Sequence, residues 1–332
     1  MKRICGHLNL DAYFKTITSK RKINMDKLKD LNIIEAEEIG ESAQFWFKCS
    51  NKKYLFKILQ KEISRYSELI SEELANVLGL KSAHYDLAIF KKEKGVITED
   101  FKKEGYEYIH LTEVMKIYMR ACESIKEIKD SDYYVVNNNR IHPLDIRTNL
   151  YDIWAALRFY LFHLDVERNK IPTIVEDLMI TITDYFVFQI ISGNYDMHAD
   201  NIIIEHSLDN KDISIAPLFD NEDMFKLSRE INYRTNGPRL TVDRNNVKDN
   251  LNSLEVLEFY LKESDEFFIN RFHNMILKID DQTIYRIIEK IENRISSIIP
   301  YEYKMLIITE FNLNLYKIKN IFGESMKKGT NL

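Results

Sequence analysis

The sequence of 332 residues has few cysteines, no apolar run of membrane-spanning length and no excess of positive charge. Its three cysteines, Cys5, Cys49 and Cys122, are scattered and odd in number, which favours reduced thiols over a disulfide framework or a zinc site. The first residues also lack the apolar stretch of a signal peptide. We therefore expect a cytoplasmic protein without a membrane span, while export by a route that needs no signal peptide stays open.

The balance of charge argues against a nucleic-acid partner. The formal net charge is -5, and basic pairs such as those at residues 91–92 and 102–103 are too short to form a basic patch. A composition of 45% hydrophobic and 30% charged residues is typical of a soluble globular protein. The length is sufficient for two lobes or domains.

The most informative stretch of the chain joins a predicted helix, a polar loop and two short β-type runs. An amphipathic pattern at about residues 174–192 predicts the helix, and residues 193–201 form the loop. Asp196 and Asn201 have four residues between them, which is the spacing of the catalytic loop in protein kinases. Asp220 follows the second β-type run.

These residue types suit phosphoryl transfer, in which positioning and charge neutralisation matter more than covalent chemistry. We expect Asp196 to accept the proton of a hydroxyl nucleophile, and Asn201 and Asp220 to bind Mg²⁺ on the phosphates of a nucleotide. The bare spacing is a weak signal, because acidic and amide residues are common in ordinary turns that cap helices. The long apolar helix before the loop and the strand after it favour the catalytic interpretation.

The N-terminal part of the chain reads as β structure and contains an unusual lysine. Two predicted strands, at residues 45–49 and 54–59, follow a turn of small residues at 41–44. In the second strand Lys57 shares one face with leucines, although burial of an ammonium without a partner is costly. Lys57 is either an edge-strand lysine whose head reaches water or the lysine that contacts nucleotide phosphates. The loop residues that would contact the nucleotide with it are Ser42, Ala43 and Gln44.

A phosphate-binding lysine of this kind needs a carboxylate on the following helix. The pattern at residues 67–78 predicts that helix, and Gly79 is its stop signal. Glu68 and Glu72 lie one turn apart on one flank, and we prefer Glu68 as the partner of Lys57; a plain surface charge is the alternative for each. We expect Glu73 to be solvated. The predicted apolar stripe consists of Ile70, Leu74, Val77 and Leu78.

The order of elements places a hinge after a predicted hairpin with its turn at residues 91–95. Glu99 and Phe101 bound this segment, where backbone groups would bind adenine. From about residue 102 the chain is predicted to be mostly helical, with Thr112 as a helix cap. The polar stretch at 224–250 is where a substrate-docking or activation segment would lie.

Taken in order, these motifs resemble the HipA-like serine/threonine kinases of bacterial toxin–antitoxin systems. The resemblance covers about residues 38–320, and the short, stand-alone, cell-translocating forms of that family are closer in length. Its most specific part is the pattern Asn-x-Asp-x-His-x-x-Asn at residues 194–201 with the later Pro-x-x-Asp. The positions that match the family in order are Gln44, Lys57, Glu68, Asn194, Asp196, His198, Asn201, Pro217 and Asp220.

The resemblance implies an α+β, two-lobed protein-kinase-like fold. A small β-rich N-lobe would occupy residues 1–101, and a larger helical C-lobe residues 102–332. It implies ATP and Mg²⁺ as cofactors and a protein substrate with a serine or threonine acceptor. By position it makes Asp196 the catalytic base, Asn201 and Asp220 the metal ligands, and His198 part of the nucleotide-contacting loop.

The resemblance also implies regulation and partners. Family members can autophosphorylate a serine in the phosphate loop, for which Ser42 is the candidate, although this loop is not glycine-rich. Longer members carry an N-terminal subdomain that docks an antitoxin, and we expect this chain to be too short to hold all of it.

Two other functions stay open. A lipid or small-molecule kinase could use the same fold, because the Asp-x-His-x-x-Asn pattern overlaps with phosphoinositide-type loops. A catalytically inactive nucleotide-binding module is the other alternative. The presence of a candidate at every expected catalytic position argues against an inactive module.

Overall fold

The structure is a computed structural model that describes residues 8–9, 38–39, 42–49, 52–59, 61–90, 93–124, 150–164, 166–194, 199–222, 224–225, 253–262 and 265–329. Within these residues strands and helices are both abundant, as the predicted α+β class requires. Of the predicted activation segment at 224–250, residues 226–250 lie outside the described residues.

Two compact units make up the chain. Unit 1 consists of Met1–Phe101, Asp220–Phe225 and Asp280–Phe311, and unit 2 consists of Lys102–Phe219, Lys226–Ile279 and Asn312–Leu332. Each unit draws on separate parts of the chain, whereas the predicted lobes are two continuous stretches that meet at residue 101. The predicted division into lobes stays a prediction.

Unit 1 contains a six-stranded sheet with the spatial order β1-β5-β6-β4-β3-β2. Its neighbouring strands are antiparallel, except that β1 pairs with β5 in parallel. Strand β4 is therefore an interior strand, and the interpretation of Lys57 as an edge-strand lysine is wrong. The strands are β1 (Leu8–Asn9), β2 (Glu38–Ile39), β3 (Ser42–Cys49), β4 (Lys52–Ile58), β5 (Tyr85–Phe90) and β6 (Glu93–Glu99).

Two predicted turns in this sheet are shorter than expected. Strand β3 already begins at Ser42, because Ser42 pairs with Ile39 of β2, so the predicted turn at 41–44 is wrong for its last three residues. Strand β6 begins at Glu93, because it pairs there with Phe90 of β5. Residues 93–95 therefore belong to the strand and not to the hairpin turn.

The helix predicted at residues 67–78 begins earlier, and we name it α1 (Glu62–Leu78). It ends as predicted at Gly79, whose φ of 81° is a left-handed conformation that glycine adopts without a Cβ penalty. The stripe is buried apart from Val77, which is 39% exposed, so that part of the prediction is wrong. Glu73 is buried and not solvated, since it pairs with Lys290 and Arg294.

Unit 2 contains a small antiparallel sheet of β7 (Tyr106–His110), β8 (Ile203–Ser207) and β9 (Ile213–Ile215), in that order. Strand β7 was not predicted, because its sequence is mostly polar and aromatic and lies where a helical region was expected. Helix α2 (Leu111–Ser124) starts directly after it, so Thr112 is a buried residue inside the helix and not its cap.

The remaining helices follow the apolar patterns of the sequence. Helix α4 (Ile171–Ser192) starts three residues before the predicted position, with Pro172 in its first turn, where the missing N–H of proline costs nothing. The first residues of α8 (Tyr301–Gly329) belong to unit 1 and the rest to unit 2. The helices are α3 (Leu150–His163), α4 (Ile171–Ser192), α5 (Ser253–Lys262), α6 (Glu266–Ile276), α7 (Thr283–Ile295) and α8 (Tyr301–Gly329). Among the described residues, no helix combines the length and the apolar character needed to cross a bilayer.

The close approach of β6 to β4 depends on Gly95, and substitution by alanine should destabilise the protein. A Cβ at position 95 would lie 2.0 Å from the backbone oxygen of Lys57, so one of the two strands must shift. We expect Gly95→Ala to lower the free energy of unfolding by about 1–3 kcal/mol, as for other overpacked sites. Denaturant unfolding of the variant measures this loss.

Gly323→Ala is the matched control for this prediction. Gly323 lies in α8, and an added Cβ there meets nothing within 4 Å. Its substitution should leave stability unchanged or raise it by up to about 1 kcal/mol, because alanine is the better helix former. Equal effects at the two positions would contradict the proposed clash at Gly95.

Candidate functional site

The candidate site of unit 1 is built around the ammonium group of Lys57. Its side chain projects from β4 into the interior and is buried. The ammonium contacts the carboxylates of Asp220 and Glu222, and its nitrogen lies 3.5 Å from Oε1 of Glu68. Lys57 and the acidic residues it meets thus come from a strand, a helix and a distant segment of the chain.

Helix α1 holds the segment 220–225 in place through two hydrogen bonds. The backbone N–H of Asn221 donates to Oε2 of Glu68 at 3.0 Å. The hydroxyl of Ser67 donates to the backbone oxygen of Met224 at 2.9 Å. Glu68 therefore uses one carboxylate oxygen to fix the segment and turns the other toward Lys57.

Asp220 has an unusual backbone conformation, with a φ of 61°. Residues other than glycine seldom occupy this left-handed region, and aspartate and asparagine tolerate it better than most. The backbone N–H of Asp220 donates to the hydroxyl of Tyr85 at 3.3 Å, and the next N–H is bound by Glu68. Local strain of this kind persists only where the surroundings fix it, as these contacts do.

The charges of the site are unbalanced. Burial on its own would lower the pKa of Lys57, but Asp220, Glu68 and Glu222 offset it and raise the pKa well above the usual value. Burial raises the pKa of Glu68 to about 8; the ammonium of Lys57 opposes this shift, whereas the negative charge of Asp220 adds to it. The nitrogen of Lys57 lies closer to the carboxylates of Asp220 and Glu222 than to that of Glu68.

The residues present fit a divalent cation. Glu68, Asp220 and Glu222 offer oxygen ligands that all lie within 4.8 Å of one another. Carboxylate oxygens are the ligands that Mg²⁺ prefers, and it usually takes only one or two of them. Since Asp220 and Glu222 both contact the single ammonium of Lys57, a cation would offset an excess of negative charge at the site.

Glu222 was not predicted from the sequence. It follows Asp220 by two residues, in a stretch where Asn221, Glu222 and Asp223 form an ordinary polar run. A second acidic residue so close to a candidate metal ligand was the available signal. Its contact with Lys57 depends on the path of the backbone after Asp220, which no local pattern indicates.

A second cluster of charges fixes helix α1 one turn beyond Glu68. Arg294 of α7 donates to Glu72 at 3.0 Å, to Glu73 at 3.2 Å and to the backbone oxygen of Tyr85 at 2.9 Å. Glu72 also binds Nδ1 of His84, at 2.7 Å, and accepts from the backbone N–H of Tyr85. Of the two glutamates considered for Lys57, Glu68 is thus the one that meets it, and Glu72 has other partners.

In unit 2, the predicted catalytic loop begins at the capped end of α4. Gly193 has a φ of 66° and ends the helix. The side-chain amide of Asn314 donates to the backbone oxygens of Ile190 and Ile191 at 2.8 and 2.9 Å. Asn314 was not predicted, because its position 113 residues after Asn201 gives no local signal.

The described ends of this loop are buried. Asn194 lies directly after the helix, and Asn201 ends a short 3₁₀ helix (Ala199–Asn201) before β8; both side chains are buried. Asp196 and His198 lie outside the described residues. Their predicted roles as base and nucleotide contact stay predictions.

The remaining predicted residues lie in the sheet of unit 1 or directly after it. Ser42, Ala43 and Gln44 belong to β3, and Gln44 is the cross-strand neighbour of Lys57. Glu99 ends β6 with an exposed ion pair to Lys52, and Phe101 is half-buried. The backbone N–H of Asp100 donates to the backbone oxygen of Lys53 at 2.8 Å. That N–H is therefore already bound within the sheet.

Unit 2 also contains a cavity of about 800 Å³ with a largely apolar lining. Trp154, Val175, Met179 and Phe267 contribute to its wall. The predicted site residues that the structure describes are not among those lining it. This cavity is therefore separate from the described residues of the predicted site.

Comparison with known proteins found solved structures with a similar fold. No family model and no curated protein matches the chain. The crystal structure of a Helicobacter pylori proinflammatory kinase, CtkA, is similar with a TM-score of 0.59 and 19% identity, over 86% of this chain and 95% of that one. The toxin HipA of Shewanella oneidensis MR-1, in a complex with HipB and its operator DNA, is similar with a TM-score of 0.56 and 12% identity, over 90% of this chain and 70% of that one.

These likenesses confirm the predicted fold. The chain has the α+β, two-lobed protein-kinase-like fold of HipA-like kinases, with a small β-rich part and a larger helical part. The predicted resemblance to that family is confirmed at the level of the fold.

The ion pairs of His84 lead to a prediction about pH. The carboxylates of Asp86 and Glu72, 3.6 and 2.7 Å from its two ring nitrogens, stabilise the imidazolium and raise the pKa of His84 to about 10. A raised pKa means stability that is complete below the unfolded value of 6.5 and is lost as the pH rises through about 10. NMR titration of the ring should show this shift.

Single substitutions check the cause. Asp86→Asn and Glu72→Gln should each lower the pKa of His84, and the stability difference between the parent and His84→Gln should shrink between pH 6.5 and about 10. A ring that titrates near 6.5 in the parent would contradict the ion pairs.

Proposed function

We propose that this protein is an ATP- and Mg²⁺-dependent serine/threonine protein kinase of HipA-like type. The observation that supports this most directly is the meeting of Lys57, Glu68 and Asp220 within unit 1. A lysine on a sheet strand, a glutamate on the next helix and an aspartate before the activation segment are the parts that protein kinases use around the nucleotide phosphates. The kinase-like fold supports the same conclusion.

Each of these side chains has a role in this proposal. Lys57 binds phosphate oxygens, and Glu68 positions it, since its carboxylate is fully buried and fixed by the N–H of Asn221. Asp220 and Asn201 are the groups that would hold Mg²⁺. The bound cation would supply charge neutralisation for the phosphates during transfer.

The acceptor side of the reaction rests on the sequence pattern of the loop. Asp196 accepts the proton of the acceptor hydroxyl, and His198 contacts the nucleotide. We propose a serine or threonine of a protein as the acceptor, because the ordered motifs resemble those of protein kinases of this fold. Ser42 is the proposed autophosphorylation site, at the start of β3.

The two similar solved structures also suggest a biological context. One of them is described as a proinflammatory kinase and the other as part of a toxin–antitoxin complex with HipB. We propose a bacterial, cytoplasmic toxin-type kinase, with an antitoxin partner as a question for binding experiments.

Replacement of the proposed base should stop catalysis and spare binding. Asp196→Asn should lower kcat by about 10²–10⁴-fold, the usual contribution of general base catalysis, while ATP affinity stays the same. Transfer of labelled phosphate to protein, peptide and phosphoinositide acceptors measures the rate and identifies the acceptor class. Asp209→Asn, in an exposed turn where Asp209 pairs with Lys211, is the control.

The outcomes separate the candidate functions. Equal labelling by the parent and by Asp196→Asn would show that Asp196 is not the base. Transfer to lipid alone would favour the lipid kinase, and nucleotide binding without any transfer would favour the inactive module.

Replacement of the proposed metal ligand should affect binding itself. Asp220→Asn keeps the size of the side chain and a residue type that tolerates the left-handed conformation. We expect it to lose the part of ATP affinity that depends on Mg²⁺, because an amide is a weaker ligand than a carboxylate. Calorimetric titration with ATP, with and without Mg²⁺, measures this, and an unchanged Mg²⁺ effect would remove Asp220 from the metal site.

A further inference from the structure

The lysine of the proposed nucleotide site already has anionic partners within the protein. Lys57 contacts Asp220 and Glu222 directly, whereas its distance to Glu68 is 3.5 Å. Asp220 and Glu68 have roles in the proposed function, but Glu222 has none. The carboxylate of Glu222 pairs with the ammonium of Lys57, which in the proposed function binds the phosphates of a nucleotide.

Glu222 is held at this position by the backbone on both sides of it. The N–H of Asn221 is bound by Glu68, and the oxygen of Met224 by Ser67. The side chain of Glu222 is only 23% exposed. A carboxylate in such a place is a fixed part of the site, unlike a surface glutamate that can turn away into water.

We infer that Glu222 competes with nucleotide phosphates for Lys57, and that it thereby makes nucleotide binding depend on a divalent cation. This inference rests on the proposed function and names a residue that regulates the same site. An anionic phosphate that enters without a cation meets the carboxylates of Asp220 and Glu222 and a lysine that is already paired with them. Like charges at such short distances oppose binding.

With a divalent cation bound, Asp220 and Glu222 would have a positive partner other than Lys57, and the ammonium would be available to the phosphates. Glu68, bound to the N–H of Asn221, would position the ammonium from the side of α1. The site therefore favours a nucleotide with its cation over a nucleotide without one.

Glu222→Gln tests the inference, because glutamine keeps the shape of the side chain and removes its charge. We expect the affinity for ATP in the presence of a chelator to rise about tenfold, the scale for removing one charge a few ångströms from an anion. The affinity for ATP with Mg²⁺ should change much less. The ratio of the two dissociation constants, measured by calorimetry, is the readout and needs no catalytic turnover.

Glu62→Gln is the matched control. Glu62 lies in the first turn of α1 with a side chain 31% exposed, and it pairs with Arg65 and not with Lys57. Its substitution removes the same charge from unit 1 and should leave both affinities unchanged. Glu222→Ala serves as a second variant if the glutamine variant melts at a lower temperature than the parent.

The results separate two kinds of failure. If the parent binds ATP with Mg²⁺ but the metal-free affinity of the Glu222 variants is unchanged or lower, the competition is refuted and the proposed function is kept. Weaker binding of Mg²⁺ alone by the variants, without a gain in metal-free ATP affinity, would make Glu222 a cation ligand only and would refute the competition. If the parent binds no nucleotide under either condition, the proposed function fails and the inference fails with it.

Discussion

The candidate site depends on one constraint, which is the burial of the ammonium group of Lys57 on an interior strand of the sheet. The ammonium of a buried lysine is stable only if anionic groups surround it. Lys57 meets this condition through carboxylates that arrive from α1 and from the segment 220–225. The requirement for charge compensation thus connects three parts of the chain that are far apart in sequence.

Backbone hydrogen bonds fix the conformation of the chain around Asp220. Its N–H groups are bound by Tyr85 and Glu68, and its carbonyl oxygen at Met224 is bound by Ser67. These contacts hold Asp220 in a left-handed conformation that would otherwise be unfavourable. The carboxylate of Asp220 is therefore directed at Lys57 by backbone hydrogen bonds, and electrostatic attraction is not the only cause.

Local sequence patterns were sufficient to find Lys57 and Glu68, but not Glu222. Lys57 stood out as a charge on an apolar strand face, and Glu68 followed from the helical spacing. Patterns failed where a contact depends on the tertiary fold. Glu73 looked solvated until the path of α7 brought Arg294 and Lys290 to it, and Asn314 caps a helix more than a hundred residues earlier. Strand β7 was missed because its polar sequence gives no periodic signal without its partner β8.

The guanidinium of Arg294 has a consequence for how α1 can move. In protein kinases, the position of the helix that carries the glutamate controls whether the lysine–glutamate ion pair forms. Here Arg294 joins α1 to α7 through Glu72 and Glu73 and also binds the backbone of Tyr85, whose hydroxyl meets Asp220. Movement of α1 without α7 would leave these buried charges uncompensated, so we expect the two helices to move together.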